Sequence, residues 1–273
     1  MSKIVNVGLV QMNSKLGNVE ENVKKAVNFI KQASYKKADI VCLPELFATG
    51  YNLDILKNQT NILGENYYDF IVKNISEAAK KYKVFVIAPF AEVRGIKGVL
   101  YNSAVLFDDE GNVLGSYAKT HLCGSEKLYY RKGSDYKVFN TKLGKIGIII
   151  CYDAGFPEAC RILALEGADM IFIPAAWRIQ DEYMWDLNLA QRALENVLFT
   201  IGVNRVGIEG DLHLFGKSKV CAPNSSVIKE LPKDLEEVEV VGIDLNDLSK
   251  FRSEIPYLRD RNPLIYKKIV EEY

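Results

Sequence analysis

The sequence predicts an α/β fold in which two β-sheets pack face to face, each covered by helices. Three observations carry this reading. The segments with strand character, such as residues 4–10, 84–88 and 146–150, are near-continuous apolar runs, which suit strands buried on both faces better than alternation would. The order β-α-β-α-β-β-β can be read twice: Ala168-Asp169-Met170-Ile171-Phe172-Ile173-Pro174 echoes Ala38-Asp39-Ile40-Val41-Cys42-Leu43-Pro44, although the spacings of the two halves differ. Neither GxGxxG nor GxxxxGK[ST] occurs, so nothing supports the phosphate loop of the competing arrangement, one doubly wound sheet.

Each element has its own warrant. Residues 4–10 open the chain as a buried strand. Asn18, with Glu21 three positions on, is placed to cap a helix, and Val19, Val23, Ala26, Val27, Ile30 and Ala33 recur at helical spacing. Residues 39–43 read as a short strand closed by Pro44-Glu45. Tyr67, Phe70, Ile71, Ile75, Ala78 and Ala79 mark a second amphipathic helix, and residues 84–88 another strand. Residues 103–107 and 113–119 flank Asp-Asp-Glu-Gly-Asn as a hairpin. In the second half, strand 146–150 leads to a helix over 157–166, with Pro157 in its first turn and Gly167 just past its end. The strand 168–174 follows, then a helix with Leu187, Ala190, Leu194 and Val197 on one face, the strand 199–204, and late strands near Lys219 and over 238–243.

Composition bounds the function. The chain has 273 residues, 48% hydrophobic, with 35 basic residues against 35 acidic ones, enough for a large core. No lysine-rich block points to nucleic acid, and no apolar run is long enough for a membrane span. Five cysteines without a CxxC pair, and an N-terminus that runs directly into a strand without a signal peptide, lead to the expectation of reduced thiols and a cytoplasmic location. The two histidines, His121 and His213, have no ligand spacing, so neither a metal nor a cofactor is expected.

Three reactive residues follow strands: Glu45, Lys119 and Cys151. Residues at the carboxyl ends of strands in α/β sheets are held by a rigid scaffold and point into a common crevice. As a set they suit acyl transfer. The carboxylate can accept a thiol proton, and the ammonium favours the thiolate and can then hold an oxyanion. The Tyr152 N–H, in the turn after Cys151, is a second oxyanion donor. Taken alone, each has a plainer reading: a small buried cysteine, a turn glutamate, a solvated lysine. Cys42 and Cys160 read as packing, Cys123 and Cys221 carry no signal, and His121 reads as a core or turn residue. A cysteine–histidine hydrolase using His121 or His213 stays open on this reading.

Five segments, in order and spanning most of the chain, resemble the nitrilase, or carbon–nitrogen hydrolase, superfamily: LPELFATGY around Glu45, YNSAVLFDDEGNVLGSYAKTHL around Lys119, CYDAGFPEACRILALEGADMIFIPAAW from Cys151, QRALENVLFTIGVNRVG and IPYLRDRNPLIY. The resemblance implies an α-β-β-α sandwich, doubled by dimerisation with the C-terminal tail often crossing between subunits. It implies a Glu-Lys-Cys triad at Glu45, Lys119 and Cys151, with Glu126 as the counterpart of a second active-site glutamate in a supporting role. Ala118 stands where an arginine commonly precedes the lysine, and APNSSVIKEL lacks the usual Pro-x-Gly turn. The domain is expected over residues 1–249, with 250–273 as a tail at a dimer interface. Cys151-Tyr152-Asp153 in place of Cys-Trp-Glu is more like the amidase and carbamoylase branches than true nitrilases. The expected reaction is therefore hydrolysis of a small amide through a cysteine thioester. N-carbamoyl amines or nitriles are alternatives on the same triad, and a catalytically idle binding protein is an alternative of another class. Phe47, Tyr51, Tyr129, Phe156 and Trp177 are candidate pocket walls; Asp153 or Glu126 could recognise an amine, and Arg178 a carboxylate.

Overall fold

The computed structural model describes residues 3–271. The first half runs β1 (Ile4–Gln11), α1 (Val19–Tyr35), β2 (Ile40–Cys42), α2 (Leu53–Leu56), α3 (Gln59–Tyr82), β3 (Phe85–Val93), β4 (Leu100–Phe107) and β5 (Val113–Ala118). After a single turn, α4 (Glu126–Tyr129), the second half runs β6 (Val138–Thr141), β7 (Gly144–Ile148), α5 (Pro157–Leu165), β8 (Met170–Ala175), α6 (Glu182–Asn196) and β9 (Phe199–Asn204). A hairpin, β10 (Val206–Glu209) and β11 (Leu212–Phe215), precedes β12 (Lys219–Cys221), β13 (Val227–Glu230), β14 (Glu237–Asp244) and α7 (Asp247–Glu254).

The strands form two six-stranded sheets, β14-β1-β2-β3-β4-β5 and β13-β12-β9-β8-β7-β6. In each, three central parallel strands are flanked by antiparallel ones, so β1-β2-β3 and β7-β8-β9 are counterparts. The period-2 alternation of side chains sorts the first sheet's residues between two layers. Val5, Val7, Leu9, Ile40 and Ile87 face Ile146, Ile148 and Phe172 of the second sheet, whereas Val10, Val41, Val86 and Ala88 pack under α1 and α3. On the far side, α5 and α6 cover the second sheet with Cys160, Leu163, Trp185 and Leu189. The layers are therefore helix, sheet, sheet, helix, the α-β-β-α sandwich the sequence pointed to.

Local choices follow sequence chemistry. The Asn18 side chain caps α1 by accepting from the Glu21 N–H. Helix α3 begins at Gln59, eight residues before the first of the apolar residues that marked it, because its polar first turns bury Thr60 and Gly64 rather than large apolar groups. A Cβ at Gly64 would lie 2.9 Å from Leu100 Cδ1 and 3.2 Å from Ala91 Cβ, so glycine lets the helix pack closely on the sheet here. Helix α6 turns a different face inward from the one expected. Trp185, Leu189, Arg192, Ala193 and Asn196 are buried, and Leu187 is 66% exposed. Two apolar stripes share this helix, and the sheet takes the one carrying tryptophan. Residue 250, the expected domain boundary, falls inside α7, where Arg252 donates to the Val197 and Ala168 carbonyls. Among the described residues no helix is long and apolar enough to cross a membrane, and no group of three or more His, Cys, Asp or Glu side chains could hold a metal ion.

Candidate active site

Strand β2 ends at Cys42, and Leu43-Pro44 carries the chain to Glu45, whose side chain is fully buried. Its Oε1 accepts from Asn102 Nδ2 of β4 at 2.8 Å and from Lys119 Nζ at 2.7 Å, and its Oε2 accepts the Ala176 N–H at 2.9 Å. Lys119 continues β5. Its N–H donates to the Asn102 carbonyl and its own carbonyl accepts from the Gly133 N–H, both at 2.8 Å. That pinned backbone delivers a fully buried ammonium to two carboxylates, Glu45 and Glu126, the latter at 2.6 Å. Glu126 opens α4. It also accepts the Tyr51 hydroxyl at 2.7 Å and the Cys123 N–H at 3.0 Å.

Strand β7 stops at Ile148, two residues before the apolar run does, and a 3₁₀ turn over Cys151–Gly155 follows. Cys151 takes φ +49°, the left-handed conformation that non-glycine residues seldom adopt. Asp153 holds this turn. Its Oδ2 accepts the Ile150 N–H and the Tyr117 hydroxyl, and its Oδ1 accepts from Thr120 Oγ1 and the His121 N–H. One buried carboxylate thus ties the cysteine turn of the second half to the lysine loop of the first. From α6, Arg192 Nε donates to the Ala154 carbonyl at 2.8 Å, securing the same turn from behind.

The Ala176 N–H that binds Glu45 belongs to the wall of the same cavity as Cys151 and favours the Cys151 thiolate. Burial, reinforced by the negative charge of Glu45, pushes the Cys151 thiol well above its ordinary pKa, with Lys119 pulling the other way. Burial opposes the Lys119 charge, but Glu126 and Glu45 outweigh it and hold the ammonium well above its usual value. Burial also raises the Glu126 carboxyl against the pull of Lys119. At rest the site therefore holds a neutral thiol beside a charged lysine. The Cys160 thiol, buried under α5, is pushed up to about 12.

Cys151 and Glu126 lie in a cavity of about 920 Å³, whose other lining residues include Tyr51, Cys123, Tyr152, Ala176 and Trp177, with Asp54, Arg178, Asp181 and Asp211 toward the mouth. Of the expected wall residues, Tyr51 and Trp177 line the cavity, and Tyr152, singled out for its backbone N–H, joins them. Trp177 is held by its N–H to Asn204 Oδ1 at 2.7 Å and its indole N–H to the Asp181 carbonyl at 2.9 Å. The other expected wall residues lie elsewhere. Phe47 is packed in the core beneath α1 and α3, and Tyr129 packs against the small cluster of Leu46, Leu53 and Tyr130. Phe156 stacks on His121 with ring centroids 3.7 Å apart. Asp153 has no oxygen left for a substrate amine, because backbone and hydroxyl donors occupy both. His121 Nδ1 rests against Asp153 Oδ1 at 2.8 Å and His213 Nε2 against Asp234 at 2.7 Å, and neither histidine lines the cavity. Asn102, Asn204, Arg192 and the hydroxyl of Tyr51 gave no signal in the sequence, since each acts on a residue brought near only by the fold.

Comparison with known proteins agrees with this geometry. The carbon–nitrogen hydrolase family model matches residues 6–253. A nitrilase of Pyrococcus abyssi is 37% identical, covering 94% of this chain and all of its own. The 2-oxoglutaramate amidase of Bacillus subtilis is 33% identical over 95% of this chain and 98% of its own. Among solved structures, a carbon–nitrogen hydrolase from Helicobacter pylori superposes with a TM-score of 0.94 at 29% identity, covering 99% of each chain. A glutamate-to-glutamine mutant of the amidase from Nesterenkonia sp. AN1, with an acetamide moiety added covalently to its active-site cysteine, superposes at 0.86 with 25% identity over 97% of this chain and 96% of that one. A sandwich of this topology, a buried lysine shared by two carboxylates and a cysteine at the floor of one cavity thus coincide with a family match over nearly the whole chain, and the protein belongs to the carbon–nitrogen hydrolase family of the nitrilase superfamily, as a hydrolase of carbon–nitrogen bonds other than peptide bonds.

Proposed function

We propose that the protein hydrolyses a small carboxamide to a carboxylic acid and ammonia through a thioester on Cys151. The observation that carries this is the buried Lys119 ammonium gripped at 2.7 and 2.6 Å by Glu45 and Glu126, with Cys151, Glu126 and the Ala176 whose N–H binds Glu45 lining one cavity. Because the thiol rests neutral, it is activated at the moment of attack. Glu45 takes the S–H proton as sulfur bonds to the carbonyl carbon. The oxyanion forms against the Lys119 ammonium and the Tyr152 N–H, which lies in the first turn of the 3₁₀ segment, where N–H groups lack intrahelical partners. Glu45 passes its proton to the amide nitrogen, the C–N bond breaks and ammonia leaves. Water then attacks the thioester and gives Glu45 a proton, which returns to sulfur as the acid departs. Glu126 holds the lysine in place and does not exchange protons with substrate.

The relatives carry both nitrilase and amidase names, and Tyr152-Asp153 after the cysteine favours the amide. N-carbamoyl amines are the second reading. Asp54, Asp181 and Asp211 near the mouth outnumber Arg178, whose Nε pairs with Asp181, so the entrance suits a substrate with a cationic far end. The test is ammonia release and intact-mass analysis with acetamide, 2-oxoglutaramate, N-carbamoyl amines and aliphatic nitriles, beside a Cys151→Ala control. An acyl adduct on Cys151 and a folded, inactive control are expected. Full activity of Cys151→Ala would sink the assignment.

A further inference from the structure

At one point the second half of the chain reaches across to hold the first half's wall of the cavity. Glu209, the last residue of β10, is 4% exposed. Its Oε2 accepts the backbone N–H groups of Tyr51 and Asn52 at 2.9 and 2.7 Å, its carbonyl accepts from Asn52 Nδ2 at 2.6 Å, and its Oε1 pairs with the fully buried guanidinium of Arg205. Burying an ion pair carries a desolvation penalty that is offset only when hydrogen bonds also fill the remaining lone pairs, so a pair spent on two backbone N–H groups marks a place where position matters. Gly50 precedes the contact with φ +86°, and a Cβ there would lie 2.9 Å from Glu209 Oε1, so the carboxylate bears directly on this turn. What the turn presents is the Tyr51 hydroxyl, on Glu126 Oε1 beside Lys119 Nζ. The same short segment also grips the opposite wall: Asn204 Oδ1 accepts the Trp177 N–H, and the Arg205 N–H donates to the Ala175 carbonyl.

We infer that Glu209, backed by Arg205, is a positioning residue that fixes the Tyr51 turn so that the Tyr51 hydroxyl seats Glu126 and, through Glu126, the Lys119 ammonium beside Cys151. The inference rests on the cysteine-hydrolase reading above and adds a residue to it that touches neither substrate nor sulfur. Burial raises the Cys151 thiol, the carboxylates Glu45 and Glu126 raise it further, and Lys119 pulls it down. Among these Lys119 stabilises the thiolate, so an ammonium that loses its seat moves thiolate formation to higher pH.

The experiment follows iodoacetamide labelling of Cys151 against pH, by peptide-level mass spectrometry, in the full chain and in Tyr51→Phe, Glu209→Gln and the double variant. Each single variant is expected to raise the pH midpoint of labelling and to slow labelling at pH 7 by on the order of tenfold, a size in keeping with coupling inside one hydrogen-bond network. The double variant should be no slower than Tyr51→Phe alone, because both changes break the same link. Multiplying effects, or a Glu209→Gln midpoint equal to the parent's with only a lower Tm, would overturn the inference. If Glu209→Gln does not fold, Asn52→Ala cuts the side-chain bond between hairpin and turn: a raised midpoint supports the inference and an unchanged one overturns it. Failure of the underlying reading looks different, since Cys151→Ala would then keep its hydrolytic activity whatever the labelling cycle shows.

Discussion

At the scale of the residue, the site is organised around one ammonium and two carboxylates, a net negative charge beside a thiol that burial already keeps protonated. On the proposed mechanism Glu45 is the proton acceptor. Glu45→Gln should lower kcat by about 10²–10⁴-fold, the range for loss of a positioned base, while leaving a folded protein by circular dichroism. Burial lifts the Glu126 carboxyl above its ordinary 4.5, and its ionised form is the one that holds Lys119. The acid limb of kcat/KM should therefore lie above pH 4.5, with activity lost as pH falls through the raised value. The stability linkage has the opposite sign. A carboxyl whose folded pKa is raised favours the folded state when protonated, and that contribution is lost as pH rises through the folded value. Glu126→Gln should accordingly alter the acid limb of the pH–rate profile without lowering Tm at neutral pH as much as Lys119→Met does, since the latter leaves two buried carboxylates unpaired.

At the scale of the element, the short 3₁₀ turn after β7 bears Cys151, the proposed nucleophile, and its neighbours hold it in a left-handed backbone. Asp153 gathers donors from the turn, from β5 and from the loop after Lys119, and Arg192 of α6 satisfies the Ala154 carbonyl. Asp153→Ala leaves several buried donors without an acceptor, each worth about 1–3 kcal/mol. It should lower Tm and abolish activity together, as read by calorimetry and ammonia release. Helix α6 supplies a sharper contrast. Leu189→Ala should destabilise the fold by about 2–5 kcal/mol as a buried large-to-small change, whereas Tyr183→Ala, 59% exposed on the same helix, should stay within about 0.5 kcal/mol, both read from urea unfolding. The sequence showed this helix but not its orientation, because both stripes obey the same 3.6-residue period and only the sheet beneath selects one.

At the scale of the whole molecule, two similar half-folds face each other, and the chemistry occupies one of two related ends. Where β7 leads to Cys151, its counterpart β1 ends in Gln11. The Gln11 amide is consumed by the Pro232 and Leu235 carbonyls and by Ser218, so that end is a structural lock. The outer helix layer leaves Ile162, Leu165 and Leu187 exposed, and a groove there is lined by Leu187, Ala190 and Leu194. The family resemblance makes a second copy of this chain the proposed cover, with the tail after residue 249 near the junction. Light scattering should then give a dimer mass, and Leu187→Asp should shift it toward a monomer with the cavity chemistry intact. A monomer mass for the parent protein would reject that assembly.

The amino-acid sequence by itself determined the layered architecture, through apolar runs too continuous for one-sided strands and a strand–helix order read twice. It also marked Glu45, Lys119 and Cys151, because strand ends are local features and motif chemistry is written along the chain. Only the tertiary structure decided which side chains share atoms. Glu45 and Lys119 lie 74 positions apart and Glu45 and Ala176 131 apart, and no periodicity encodes such pairings. The same holds for the misplaced expectations. An aspartate two residues after a nucleophile looks available for substrate until the fold fills both its oxygens, and Phe47 looks like a wall until its ring proves to belong to the helix-side core. Burial and hydrogen-bond saturation are properties of the packed chain, and they separate the residues that do chemistry from those that hold them.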